Sequence, residues 1–292
     1  MGAWDSLSRG FDLSGDALRE TFAFHKVEFR QYVKYWLLMT AFEVGAVIAA
    51  AIPFAVLFFI VAGNYVSGMN LAAAAVALSL LAILLALPFA MLCMSTLFSS
   101  IRYVVGERAA QFVQKSDRRP ALKFIAFYAA VYLALFLVFL GVPLALMFGG
   151  ALSGSPDTAA AGLIGGLLLF YSGIFLFIIV FYLFSFFFTY GVYEVAADGI
   201  GPVVALKRSY ALVKGNFWET LVFFLVLFAI SYALGMVMQI VMIPFILVLM
   251  VSPIAGIALL IPAMIILTIV ENALLTPFNV LFWKKIRTSP AA

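Results

Sequence analysis

All 17 Lys and Arg residues of this 292-residue chain fall into four groups, and long apolar runs separate the groups. Arg9, Arg19, Lys26, Arg30 and Lys34 precede the first run. Arg102, Arg108, Lys115, Arg118, Arg119 and Lys123 lie between the second and third runs or at their ends. Lys207, Arg208 and Lys214 separate the fourth from the fifth, and Lys284, Lys285 and Arg287 follow the sixth. The other connecting segments, near 63–70, 150–160 and 251–253, carry no Lys or Arg. A helix crossing a bilayer needs about 20 apolar residues at ~1.5 Å each. Six runs reach that length, at roughly 36–62, 71–100, 121–149, 162–193, 217–250 and 254–282. The stretch 217–283 is too long for one crossing, and Ser252-Pro253 supplies the break. Bases that alternate in this way follow the positive-inside rule, which places both termini in the cytoplasm.

The composition excludes other classes. Hydrophobic residues make up 66% of the chain and charged residues 10%, against roughly 45–50% and about 25% in soluble domains. A water-soluble globule and a disordered chain are both ruled out. With 31 Phe and unbroken apolar runs, the fold class is an all-α polytopic membrane bundle rather than a barrel. Residues 1–292 read as a single integral membrane domain. Cys93 is the only Cys and His25 the only His, so an intrachain disulfide and a CxxC metal site lack the necessary groups, and a His-based zinc site or a Ser-His-Asp triad has no spare imidazole. No metal and no cofactor is expected. The basic balance is accounted for by topology, so no nucleic-acid partner is expected. Residues 1–34 mix acids with bases and do not read as a cleavable signal peptide.

An internal similarity divides the chain further. Ala17-Leu18-Arg19, Phe22-Ala23, Lys26 and Phe29 match Ala205-Leu206-Lys207, Tyr210-Ala211, Lys214 and Phe217 at identical spacing. Ile52-Pro53-Phe54, Val142-Pro143-Leu144 and Ile243-Pro244-Phe245 recur in alternate spans, and Leu87-Pro88-Phe89 pairs with Thr276-Pro277-Phe278. The simplest reading is three parallel repeats, at about 14–100, 102–194 and 200–287. Each is an amphipathic helix followed by a transmembrane hairpin, and the pseudo-axis lies along the membrane normal. The prolines should kink their spans.

The segment 202–214 predicts an amphipathic helix lying on the membrane. Pro202 suits a first turn. Val203, Leu206, Tyr210 and Val213 form one face, and Gly215 is placed to end the helix. Residues 15–34 repeat the pattern. Arg19, Lys26, Lys207, Arg208 and Lys214 are the candidate contacts to anionic lipid headgroups, each adding about 1 kcal/mol of attraction. Simple anchoring and specific lipid recognition both fit such helices.

Inside the spans, Glu43, Gln239, Glu271 and Asn272 form the candidate polar site. An ionised acid near a helix centre costs on the order of 2.5–3.5 kcal/mol on insertion scales, so neither acid should face lipid. They fit either a proton or cation relay, or neutral carboxyls bonding helix to helix. Glu194 and Asp198 flank the cytoplasmic end of span 4 and are expected to be solvated. His25 reads as interfacial, and Cys93 as packing in span 2. Gly162-x-x-x-Gly166 offers a close-approach motif.

The run Ala205-Leu-Lys-Arg-Ser-Tyr-Ala-Leu-Val-Lys-Gly-Asn-Phe-Trp218 resembles a signature of poorly characterised prokaryotic multi-span membrane proteins. These include the membrane domain of some glycerophosphodiester phosphodiesterases. The resemblance implies a prokaryotic plasma-membrane helical protein and carries over no catalytic residue, since those enzymes keep their chemistry in a separate soluble domain. The reading is therefore a non-enzymatic integral membrane protein, a membrane-organising or lipid-interacting subunit whose partners are membrane lipids. The alternative is a small transporter or channel using Glu43 and Glu271. Neither a protein partner nor an oligomeric state is specified.

The topology is directly testable by thiol labelling in a Cys93→Ala background. Single Cys residues placed at Ser67, Ser155 and Ser252 should react with an impermeant reagent in intact cells. Those placed at Ser8, Ser116 and Ser289 should react only after lysis.

Overall fold

The computed structural model describes residues 2–62, 71–106, 117–141, 143 and 156–288. The segments at 63–70, 107–116 and most of 142–155 lie outside the described residues, and with them Arg108, Lys115 and two of the connecting loops. The chain order is α1 (Ala3–Ala62), α2 (Leu71–Val105), α3 (Arg118–Phe136, continued by a π-helical turn over Leu137–Gly141), α4 (Pro156–Phe188), α5 (Gly191–Asp198), α6 (Pro202–Gly215), α7 (Phe217–Val251) and α8 (Pro253–Thr288). No strand occurs among the described residues. Six helices are long and apolar enough to cross a membrane, so the molecule is a polytopic helical membrane bundle.

The segments around 15–34 and 202–214 differ in the structure although their sequences match. Residues 15–34 are not a separate helix but part of the 60-residue α1. In the later segment, Gly215-Asn216 ends α6, with Asn216 at φ −128°, ψ 48°. The matching positions near the N-terminus are Val27-Glu28, which offer the helix no reason to stop. At ~1.5 Å per residue α1 is about 90 Å long, roughly three times the hydrocarbon thickness. Helix α6 packs on a face that keeps only half of the expected stripe, Leu206 and Val213. Ala205, Leu206, Ser209 and Val213 are buried, whereas Val203 and Tyr210 are exposed. Small residues explain the shift: Ser209 Oγ donates to the Phe187 carbonyl at 3.1 Å and accepts the Tyr190 N–H at 3.2 Å, so α6 is drawn against the end of α4.

The α7–α8 hairpin turns on one residue, as the Ser252-Pro253 break requires. Ser252 is extended (φ −142°, ψ 99°), the conformation favoured before proline. A Cβ on Gly256 would lie 2.2 Å from Leu249 Cα, so only glycine allows the two helices to start this close. Further along the hairpin Phe223 stacks on Phe282 at 4.0 Å and 14°.

Prolines 53, 88, 244, 262 and 277 all sit inside continuous helices. Pro143 follows directly on the π-turn. It has no N–H to give the Phe139 carbonyl four residues back. That oxygen lies against Gly173 of α4, where a Cβ would sit 2.0 Å from it.

The buried core lies at one end of the bundle. Tyr32, Tyr35 and Trp36 of α1, Phe98 and Ile101 of α2, Tyr190 directly before α5, Val195 of α5, and Phe278, Phe282 and Trp283 of α8 form it. This is the end at which the basic segments meet, and it is called the basic end below. Lys284 Nζ donates to the Val105 carbonyl at 3.1 Å, and Lys285 Nζ to Glu20 Oε1 at 2.6 Å. Towards the other end large apolar side chains such as Phe175, Ile240 and Met250 are exposed, as lipid-facing residues should be. Along the chain, Phe98, Phe188 and Phe278 are equally spaced, and Tyr103, Tyr193 and Trp283 share the same interval.

Helices α1 and α7 touch at Gly10, where a Cβ would fall 2.9 Å from Val222 Cβ and 3.0 Å from Glu219 Cα. Gly10→Val should therefore overpack the junction and cost ~1–3 kcal/mol, read as a lower Tm in detergent. Gly235→Ala, with nothing within 4 Å of the added carbon, should leave Tm unchanged or slightly raised.

Candidate functional site

At the basic end two buried carboxylates hold separate helices together. Glu194 of α5 is 3% exposed, contrary to its expected solvation. Its Oε1 accepts the Trp283 indole N–H at 3.1 Å. Arg287 Nε lies 3.9 Å from the same oxygen, and Arg208 Nη1 lies 3.8 Å from Oε2. Asp198, one turn on, accepts Arg208 Nη1 at 2.7 Å and Arg287 Nη2 at 2.8 Å. The Arg287 guanidinium also sits 5.2 Å over the Trp283 ring. Two acids and two arginines thus tie α5, α6 and α8 at one point. The α5 backbone makes this possible: Glu194 and Asp198 are four residues apart on one helical face, and Gly199 at φ 64° ends the helix in the left-handed region that suits glycine.

The second carboxylate is Asp117, directly before α3 and 3% exposed. It accepts from Arg102 and, at 3.3 Å, from Ser99 Oγ. Arg102 Nη1 also reaches the Ala196 carbonyl at 3.5 Å, so one guanidinium joins α2, α3 and α5. A third, looser contact pairs Arg9 with the buried Glu219 at 3.7 Å, and the Tyr103 hydroxyl donates to Glu28. Chemically this lattice is a clamp. Buried charges are tolerated only when paired and hydrogen-bonded.

The structure disperses the sequence-predicted polar site. Glu43 lies at the surface of the bundle rather than inside it, and its Oε1 accepts the Cys93 thiol at 3.6 Å. Asn272 donates to the Thr268 carbonyl of its own helix at 2.9 Å, and Glu271 beside it is half-buried. Gln239 is exposed on α7 and lines a groove of about 380 Å³ with Ser231, Tyr232 and Met236. Neither that groove nor the cavities near Pro88, Tyr128, Pro202 and His25 are lined by Glu43, Glu271 or Asn272.

Among the candidate headgroup contacts, Arg19, Lys26, Lys207 and Lys214 are exposed. Arg19 lies 3.6 Å from Asp16. Arg208 is half-exposed but committed to Asp198. The residues that sequence reasoning missed are Glu194, Asp198, Arg102 and Asp117. One signal was available: Glu194 and Asp198 are four residues apart, which puts two acids on one helical face at the end of a span. Their partners, Arg208 of α6 and Trp283 and Arg287 of α8, could not be read from spacing. Compared with models of protein families, with curated proteins and with solved structures, the chain matches none.

The clamp predicts an asymmetric mutational response. Arg102→Leu leaves Asp117 buried without its cation and should destabilise by ~3–5 kcal/mol, seen as a large fall in Tm. Arg19→Leu, on an exposed pair, should change stability by less than ~1 kcal/mol.

Proposed function

We propose that this chain is a non-enzymatic membrane protein that gathers anionic lipid against a rigid platform, with the basic end in the cytoplasm of a prokaryotic cell. The division of the bundle carries this reading. Its charged end is locked by buried ion pairs, and the remainder of each span presents apolar surface and open grooves to the bilayer. One such groove, about 290 Å³, runs along Leu84, Leu87, Pro88, Met91 and Leu92 and ends at Arg118. An acyl chain fits its walls, and a phosphate fits its cationic end. Lys26, Lys207 and Lys214, on α1 and α6, are further exposed cations. The likeness of residues 205–218 to the membrane domain of some glycerophosphodiester phosphodiesterases agrees with a lipid-contacting role.

The rival reading, a transporter or channel using Glu43 and Glu271, draws less support, because the described grooves leave both acids out.

Titration of the purified protein with fluorescent phosphatidylglycerol tests the proposal. Replacing Lys26, Lys207 and Lys214 together by Gln should weaken binding at low salt by at least about tenfold. High salt should weaken wild-type binding in the same direction. Unchanged affinity in the triple variant would sink the lipid reading. Proton uptake in proteoliposomes that disappears in Glu43→Gln or Glu271→Gln at unchanged Tm would put transport first.

A further inference from the structure

Helix α7 carries two neighbouring rows of side chains on the face turned away from the bundle. Its inner face is occupied: Val222 and Phe223 are buried, and Ile230 and Leu234 close a cavity against α1 and α8. On the opposite side Phe228, Tyr232 and Met236 follow one another at every fourth residue, and all three are exposed. Phe228 and Tyr232 stack at 6.3 Å and 21°, so this row is a ridge. Ser231, Gly235 and Gln239 form the row beside it, at the same four-residue spacing. Nothing lies within 4 Å of a Cβ on Gly235, so this second row is a furrow. Together the two rows line the groove of about 380 Å³.

The furrow ends in Gln239. This residue stands 13 positions before Ser252 and 22 after Phe217, about 20 Å and about 33 Å along the helix. No charged residue occurs between Glu219 and Glu271, and the hydrocarbon layer is about 30 Å thick, so the carboxamide lies inside that layer. It is exposed on α7 and has no hydrogen-bond partner among the described residues. At that depth neither water nor an acyl chain can satisfy it, and only a polar group on protein does. A carboxamide is both donor and acceptor, and a second carboxamide answers both at once. Another copy of this chain, inserted with the same topology, brings its own Gln239 to the same depth by necessity. A foreign helix would need a polar side chain at that height by coincidence. The relief of the face agrees. A ridge of every fourth residue packs into the matching furrow of a facing helix, and two-fold pairing makes both fits equivalent. Each ridge of Phe228, Tyr232 and Met236 then enters the other copy's furrow at Ser231 and Gly235, where small residues let the backbones approach. We infer that the chain forms a parallel homodimer through this face of α7, with Gln239 hydrogen-bonded to Gln239 of the partner subunit. The interface goes beyond the lipid reading above and shares no residue with it.

Energy transfer between fluorescently labelled full chains in phosphatidylcholine vesicles, followed as the protein-to-lipid ratio is lowered, tests this. The wild-type chain should dimerise. Gln239→Leu should weaken association about tenfold, the effect of the lost interhelical hydrogen bonds, whereas Gln239→Asn keeps a carboxamide and should associate more tightly than the Leu variant. Gly235→Leu fills the furrow and should weaken association at least as much as Gln239→Leu. Both positions face away from the bundle, so the Tm of the monomer in excess detergent should stay at the wild-type value. In a Cys93→Ala background, Ser231→Cys should form an intermolecular disulfide under a membrane-permeant oxidant. Val237→Cys, exposed on another side of α7, should not. A wild-type chain that stays monomeric at every ratio, equal crosslinking at the two positions, or wild-type association in Gln239→Leu would overturn the assignment. Because the dimer variants leave Lys26, Lys207 and Lys214 in place, failure here and failure of the anionic-lipid reading are separate results.

Discussion

The bundle depends on carboxylates that are taken out of water at one end and neutralised by arginines from other helices. In hydrocarbon, helix surfaces gain little by touching one another, since lipid tails are as apolar as leucine. Glu194 and Asp117 supply what apolar packing lacks. Each is buried, so each must be paired, and the partners come from helices far apart in sequence. The pairing fixes which helices meet and at what height. Trp283 illustrates the economy of the arrangement. Its N–H satisfies Glu194, its ring face carries Arg287, and its ring lies tilted against Tyr193 with centroids 5.8 Å apart.

Within the spans the constraint is the backbone. A carbonyl without a donor is costly where there is no water. Prolines 53, 88, 244, 262 and 277 are absorbed inside continuous helices, while Pro143 follows a π-turn whose Phe139 oxygen lies against Gly173 of α4. The side-chain hydroxyls follow the same rule: Ser95, Thr96 and Ser100 all donate to carbonyls of their own helix. Polar residues in the spans therefore need not mark a pathway. Asn272, which reads as a candidate for one, does the same.

Much of this architecture is legible in the sequence because length and hydropathy are local properties. The six long helices and the Ser252 break follow from them directly. The basic segments meet at one end, as their alternation requires. What cannot be read is anything that depends on which helix faces which. Glu194 looks like a solvated acid at the end of its span until Trp283 and Arg287, almost a hundred residues away, close over it. Glu43 looks like an interior acid because its neighbours are apolar, yet it lies at the surface against Cys93. The continuity of α1 was recoverable in principle. Its match to the 202–218 segment holds for the apolar and basic positions but fails at Val27-Glu28, where the later copy carries Gly215-Asn216.

The one-residue turn at Ser252 has a consequence for biogenesis. Between Glu219 and Glu271 the chain carries no charged residue, and the connection between α7 and α8 is a serine followed by a proline. Insertion of this hairpin asks the membrane to pass no hydrophilic loop to its far side. The two helices can leave the insertion machinery together, already paired through Gly256 and Leu249, as one wedge whose tip is scarcely more polar than its flanks. Their depth is then set from behind, by Lys284, Lys285 and Arg287 holding the trailing end at the interface.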